Sequence, residues 1–150
     1  MNTGQKSETG RILLLLASVA VGAIALLHVA IIIGGASWYR AFGAGEKMAS
    51  LAESGSLVPA LSTIPLVLIF ALWSLYAYAA ATGRLRLPFM RFVLCAIAAI
   101  FLLRGFSGIP VYFSNTQAYT SFFIISTSLA SFIIGLLYFL GTFFRRSELK

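Results

Sequence analysis

Two basic side chains stand where hydrophobic runs give them no ready contact with water. Arg104 follows Ala99-Ile100-Phe101-Leu102-Leu103, and His28, the single histidine, follows Ala23-Ile24-Ala25-Leu26-Leu27. Aligned without gaps, Val19–His28 and Cys95–Arg104 agree at Ala20/Ala96, Ala23/Ala99, Ile24/Ile100, Leu26/Leu102 and Leu27/Leu103, an offset of 76 residues. An ionisable group inside a membrane span is costly and marks a candidate functional site by default. Two hydroxyl pairs accompany these residues, Ser62-Thr63 and Ser126-Thr127. A guanidinium presents a planar fork of donors, and an imidazole can donate or accept a proton. Such a set suits the binding of a small anion, a lipid headgroup or a quinone-like polar head.

Most catalytic chemistry is excluded by what the chain lacks. It has no Asp, one Cys (Cys95), one His and four acids: Glu8, Glu46, Glu53 and Glu148. No Ser-His-Asp triad, paired-Asp site, HExxH helix or carboxylate-bridged metal pair can be assembled from these. No metal site or cofactor is expected. An enzyme would have only His28 as acid or base, Glu46 or Glu53 as its partner, and Arg104 as an electrostatic stabiliser. Glu46 lies 18 residues beyond His28, past the end of that run, so the enzymatic reading is disfavoured.

The elements that position these residues are membrane helices. With 60% hydrophobic and 10% charged residues and a mean hydropathy of +0.96, the chain is excluded from the ordinary soluble class. A spanning helix needs about 20 mostly apolar residues. Four runs meet or approach that, at about 12–34, 57–81, 88–108 and 119–144. The expected fold is all-α, a four-helix transmembrane bundle forming one domain over 1–150. The connection after the first helix should carry a short amphipathic helix, Glu46–Ser54, with Trp38 and Tyr39 in an interfacial aromatic belt. Pro65 should kink the second helix. Arg40, Glu46, Lys47 and Glu53 are candidates for a lid or gate.

The second and fourth helices also align, Ser62-Thr63 with Ser126-Thr127, Ile69 with Ile133 and Leu72 with Leu136, at an offset of 64. Two helical hairpins repeated in parallel would give this pattern. In that arrangement His28, Arg104 and the four hydroxyls share a depth of about 6–12 Å below the outer surface, at 1.5 Å per residue.

Charge sets the orientation. The net charge of +7 flanks hydrophobic runs, so it reads as topology and not as nucleic-acid binding. Lys6, Arg11, Arg84, Arg86, Arg91, Arg145, Arg146 and Lys150 fall on one side, against Arg40, Lys47 and Arg104. Both termini should be cytoplasmic and the Glu46–Ser54 segment outside.

The stretch Trp38-Tyr39-Arg40-Ala41-Phe42-Gly43-Ala44-Gly45-Glu46, with Met48-Ala49, Gly55-Ser56 and Leu102-Leu103-Arg104-Gly105, resembles small four-helix membrane proteins of bacteria for which no activity is known. The resemblance covers most of residues 28–105 and leaves the fourth helix open. It implies a bacterial inner-membrane location and no particular chemistry. In size and helix count the chain also resembles DoxX-type four-helix proteins, without a shared motif. Two functions compete on these grounds. One is a binding protein with an outward-facing basic pocket. The other is an accessory subunit, packed as a homo-oligomer or against a partner membrane protein. Membrane lipids are expected partners in both.

Overall fold

The computed structural model describes residues 3–113 and 121–149, which form six helices and, among the described residues, no strand. These are α1 (Thr3–Gly34), α2 (Ala36–Ala41), α3 (Glu46–Glu53), α4 (Val58–Thr82), α5 (Met90–Phe113) and α6 (Ser121–Phe144). By length and composition α1, α4, α5 and α6 can each cross a membrane. Their outward surfaces are apolar, as at Val19, Leu26 and Ile33 on α1 or Val58, Leu61 and Leu68 on α4. In water such surfaces would be a liability; in a bilayer they need no cover.

The elements differ from the sequence expectation in three places. The polar start is helical from Thr3, not loop until residue 12. Extending an existing helix adds a hydrogen bond for each residue fixed, and Glu8 with Arg11 at 2.8 Å adds an i,i+3 pair. A further helix, α2, precedes the expected amphipathic one. Gly35, at φ 65°, breaks the chain out of α1 so that α2 can start, and Gly45, at φ 88°, does the same before α3. A residue with a Cβ adopts such angles only under strain. The third long helix begins at Met90 and runs to Phe113, five residues past the expected end at 108. The expected start of the fourth at 119 lies outside the described residues. α4 runs through Pro65 as one helix.

Two compact units divide the chain. The first draws on residues 1–20 and 73–150, so it combines the first part of α1, the end of α4, and all of α5 and α6. Within it four helical segments bury Leu14, Leu94, Ile97 and Tyr138. Ser18 Oγ donates to the Ser74 carbonyl at 2.9 Å and Ser74 Oγ returns a bond to the Ser18 carbonyl at 2.8 Å, joining α1 to α4. Tyr138 is fully buried, stacks on Phe101 with centroids 6.2 Å apart, and donates its hydroxyl to the Trp73 carbonyl at 2.9 Å. α5 and α6 approach through small residues. A Cβ placed on Gly105 would lie 2.8 Å from Phe132 Cβ and 3.0 Å from its backbone, and one on Gly135 would lie 2.9 Å from the Leu102 nitrogen.

The second unit, residues 21–72, combines the end of α1, α2, α3 and the start of α4. Its core is Ile31, Tyr39 and Ala49, with Leu27, Ala36, Met48 and Ala52 against it. Tyr39 is therefore a core residue, 3% exposed, and not part of an aromatic belt. Trp38 is 38% exposed and stacks on Phe42. On a short helix adjacent residues point apart by 100°, so only one of the pair can face out.

Gly105→Leu should lower the stability of the purified protein in detergent by about 1–3 kcal/mol, the usual cost of overpacking. Gly4→Leu, where an added Cβ meets nothing within 4 Å, should not. Thermal unfolding of the two variants beside the parent checks the close α5–α6 contact.

Candidate functional site

In the second unit the charged residues form a closed cluster. Arg40, on α2, places Nε 2.8 Å from Glu46 Oε2 and Nη2 2.6 Å from Glu46 Oε1, a two-point fork at the first turn of α3. Its Nη1 reaches Glu53 Oε1 at 2.7 Å, at the last turn. The seven-residue spacing of the glutamates puts both on the α3 face toward α2. One guanidinium thus pins both ends of α3. The Arg40 guanidinium holds both carboxyls below the ordinary carboxylate range, and the two carboxylates raise Arg40 further. Of the four candidate lid residues the structure unites Arg40, Glu46 and Glu53; Lys47 is exposed on α3 outside this cluster.

His28 and the hydroxyls turn inward to their own helices. His28 Nδ1 lies 2.8 Å from the Ile24 carbonyl, one turn back. A carbonyl only accepts, so Nδ1 donates this bond. The ring packs on Phe70, centroids 5.1 Å apart. Ser62 Oγ and Thr63 Oγ1 both donate to the Pro59 carbonyl, at 2.9 and 2.7 Å. They do not bond the Leu61 carbonyl, the one that Pro65 leaves without its helical donor. Tyr39 Oη stands 3.5 Å from Thr63 Oγ1. In the first unit Ser126 Oγ and Thr127 Oγ1 both donate to the Phe123 carbonyl, at 3.2 and 2.8 Å. The two pairs make the same i−3 and i−4 bonds at the same offset of 64, a geometry that any Ser-Thr pair in a helix can adopt.

Arg104 is different. It is exposed on α5, nine residues before the helix end, about 13 Å along the axis. Among the described residues its guanidinium has no ion-pair partner. All four side-chain carboxylates are held by other arginines: Glu8 by Arg11, Glu46 and Glu53 by Arg40, and Glu148 by Arg145. Of the six candidate ligand residues, Arg104 alone carries a guanidinium, and it has no ion-pair partner among the described residues. The hydroxyl hydrogens and the His28 Nδ1 hydrogen are already committed.

A groove of about 470 Å³ opens nearby between α5 and α6, lined by Gly105, Phe106, Gly108, Ile109, Ile124 and Phe132 among others. It is almost wholly apolar. None of the candidate ligand residues lines it. Its one hydroxyl, Ser128, is packed against Gly108 so closely that a Cβ there would meet Ser128 Oγ at 1.9 Å.

One tie in the first unit was not evident from residue spacing. Arg145, which reads as a charge stopping α6, donates Nη1 to the Ala81 carbonyl at the end of α4 and Nε to Glu148 Oε2 at 3.0 Å. Glu148 in turn accepts from Ser7 on α1. The Ser7 hydroxyl, then Arg145, holds the Glu148 carboxyl below its ordinary range. The ends of three helices are joined by contacts 64 and 141 residues apart in sequence.

Four long apolar helices, with the ion pairs among the described residues confined to helix ends and connections, define a multi-pass membrane protein. Compared with protein-family models, curated proteins and solved structures, the chain matches none.

The Arg40 cluster gives a pH-dependent outcome. Glu46 and Glu53 are more acidic folded than unfolded, so their contribution is complete above the ordinary carboxylate range and disappears as pH falls through the lowered values. At neutral pH, Arg40→Ala should speed amide hydrogen exchange in α3 severalfold relative to the parent. Below the lowered carboxylate values the two proteins should exchange alike. Equal exchange at neutral pH would show that the clamp does not hold α3.

Proposed function

We propose that the chain is a bacterial inner-membrane protein, both termini cytoplasmic, that binds an anionic group of a small or lipid-like ligand at Arg104. The observation that carries this reading is the allocation of charge. Every side-chain carboxylate is held by another arginine, so the counter-anion of Arg104 comes from outside the chain. A guanidinium within a span is stabilised by a phosphate, a carboxylate or a comparable acceptor, and its planar fork favours two-point contact. The eight-to-three distribution of lysine and arginine supports the orientation, which sets Arg104 in the outer half of the membrane.

The test is native mass spectrometry of the purified protein with lipid and small-molecule extraction. The parent should retain an anionic species. Arg104→Ala should lose it, and Arg104→Lys, a point charge without the fork, should hold it about tenfold or more weakly, in line with the ~1.5–3 kcal/mol of a hydrogen bond to a charged group. A protein equally empty with and without Arg104 removes this reading and leaves the accessory-subunit alternative.

A further inference from the structure

The turn between α4 and α5 carries Arg84 and Arg86, and Arg91 follows in the first turn of α5; all three are exposed. None has an ion-pair partner among the described residues, since the four carboxylates are held elsewhere. Two tyrosines of α4 fix its path: Tyr76 Oη donates to the Pro88 carbonyl at 3.2 Å, and Tyr78 Oη accepts from Arg84 Nη1 at 3.4 Å. Beside it lies an open groove of about 460 Å³, lined by Phe89, Arg91, Phe92 and Cys95. Phe89 and Phe92 are 80% and 76% exposed. Phe89 also takes φ 51°, a left-handed angle that a bulky residue adopts at a cost.

The order of these residues along α5 defines the occupant. Arg91 stands in the first turn, at the membrane boundary, and Phe92 and Cys95 follow toward the interior of the span. A cation at the surface followed by apolar surface inward matches an amphiphile with an anionic head. The α5–α6 groove is almost wholly apolar and no cation lines it, so it offers an anionic head no such partner.

We propose that the groove at the start of α5 docks one anionic phospholipid. Its phosphate meets the Arg91 guanidinium, Arg86 and Arg84 add attraction across the turn, and an acyl chain lies over Phe92 and Cys95. This site is independent of the ligand assigned to Arg104.

Cys95 is the chain's only cysteine and is exposed, so its alkylation reports on this groove alone. The full-length protein in mild detergent is titrated with phosphatidylglycerol, phosphatidylcholine or inorganic phosphate while a maleimide reacts with Cys95. Phosphatidylglycerol should slow the reaction at concentrations where phosphatidylcholine and phosphate do not. Arg91→Gln should raise the phosphatidylglycerol needed by about fivefold, the contribution of one basic residue at an anionic surface. One charge out of eight on that side leaves the orientation unchanged. Phe92→Ala, which keeps the charge, should raise the requirement as well, and Arg104→Ala should not alter it. Equal protection by both lipids, protection by phosphate alone, or no response to Arg91→Gln or to Phe92→Ala would each overturn the proposal.

Discussion

The interior of a bilayer offers no water, so each polar group on a spanning helix must find its partner within the protein or reach an interface. The placement of most hydroxyls described on the spanning helices follows from that demand, although Ser128 Oγ and Thr142 Oγ1 are buried without a partner. Ser62, Thr63, Ser126, Thr127 and Ser131 donate to carbonyls on their own helices. Ser18 and Ser74 satisfy each other across two helices, and Tyr138 reaches a carbonyl of α4. His28 follows the same logic with its Nδ1 hydrogen. What resembles a polar layer in a list of residues is, in space, a set of locally closed bonds. Among the charged groups described within the spans, Arg104, with its five N–H donors, has no ion-pair partner. It is the group for which a role outside the chain has to be sought.

Charge is governed by scarcity. Four carboxylates face eleven lysines and arginines. All four lie at helix ends or in the connection, where an ion pair need not be desolvated in lipid. Arg40 draws two of them and closes the α2–α3 hairpin. Arg145 takes another and, through Glu148 and Ser7, gathers the ends of three helices. The arginines left over are those of the 84–91 turn, Arg104 and Arg146, the last lying over the Phe143 ring at 4.9 Å. A membrane protein this poor in acid presents cations to its surroundings, and the surrounding molecules that carry anions include its own lipids.

Much of the fold was legible because membrane spans are specified by length and apolarity alone. The four long helices, the amphipathic α3 and the shared face of Glu46 and Glu53 all follow from composition and a 3.6-residue period. The misread elements have local causes. Residues 3–10 are polar, yet they propagate a helix already nucleated by an apolar run. Tyr39 sits beside Trp38 in sequence and looked like its partner in a belt, but a turn of 100° sends it into the core with Ile31 and Ala49. Nothing in the spacing of Arg40 announced that it would bridge Glu46 and Glu53, because that depends on the path through Gly43 and Gly45.

The sequence by itself determined the solvent this protein is built for, the number of its spans, and the two residues, His28 and Arg104, whose chemistry is out of place there. Those are consequences of composition and one-dimensional pattern. The tertiary structure decided which polar groups are already satisfied. His28 and the hydroxyl pairs are closed by bonds one turn away. Glu46, Glu53 and Glu148 are claimed by arginines brought near by the chain's turns, and Arg104 is left unmatched. A hydrogen bond depends on distances of a few tenths of an ångström and on direction, and neither is fixed until the helices have been placed against one another.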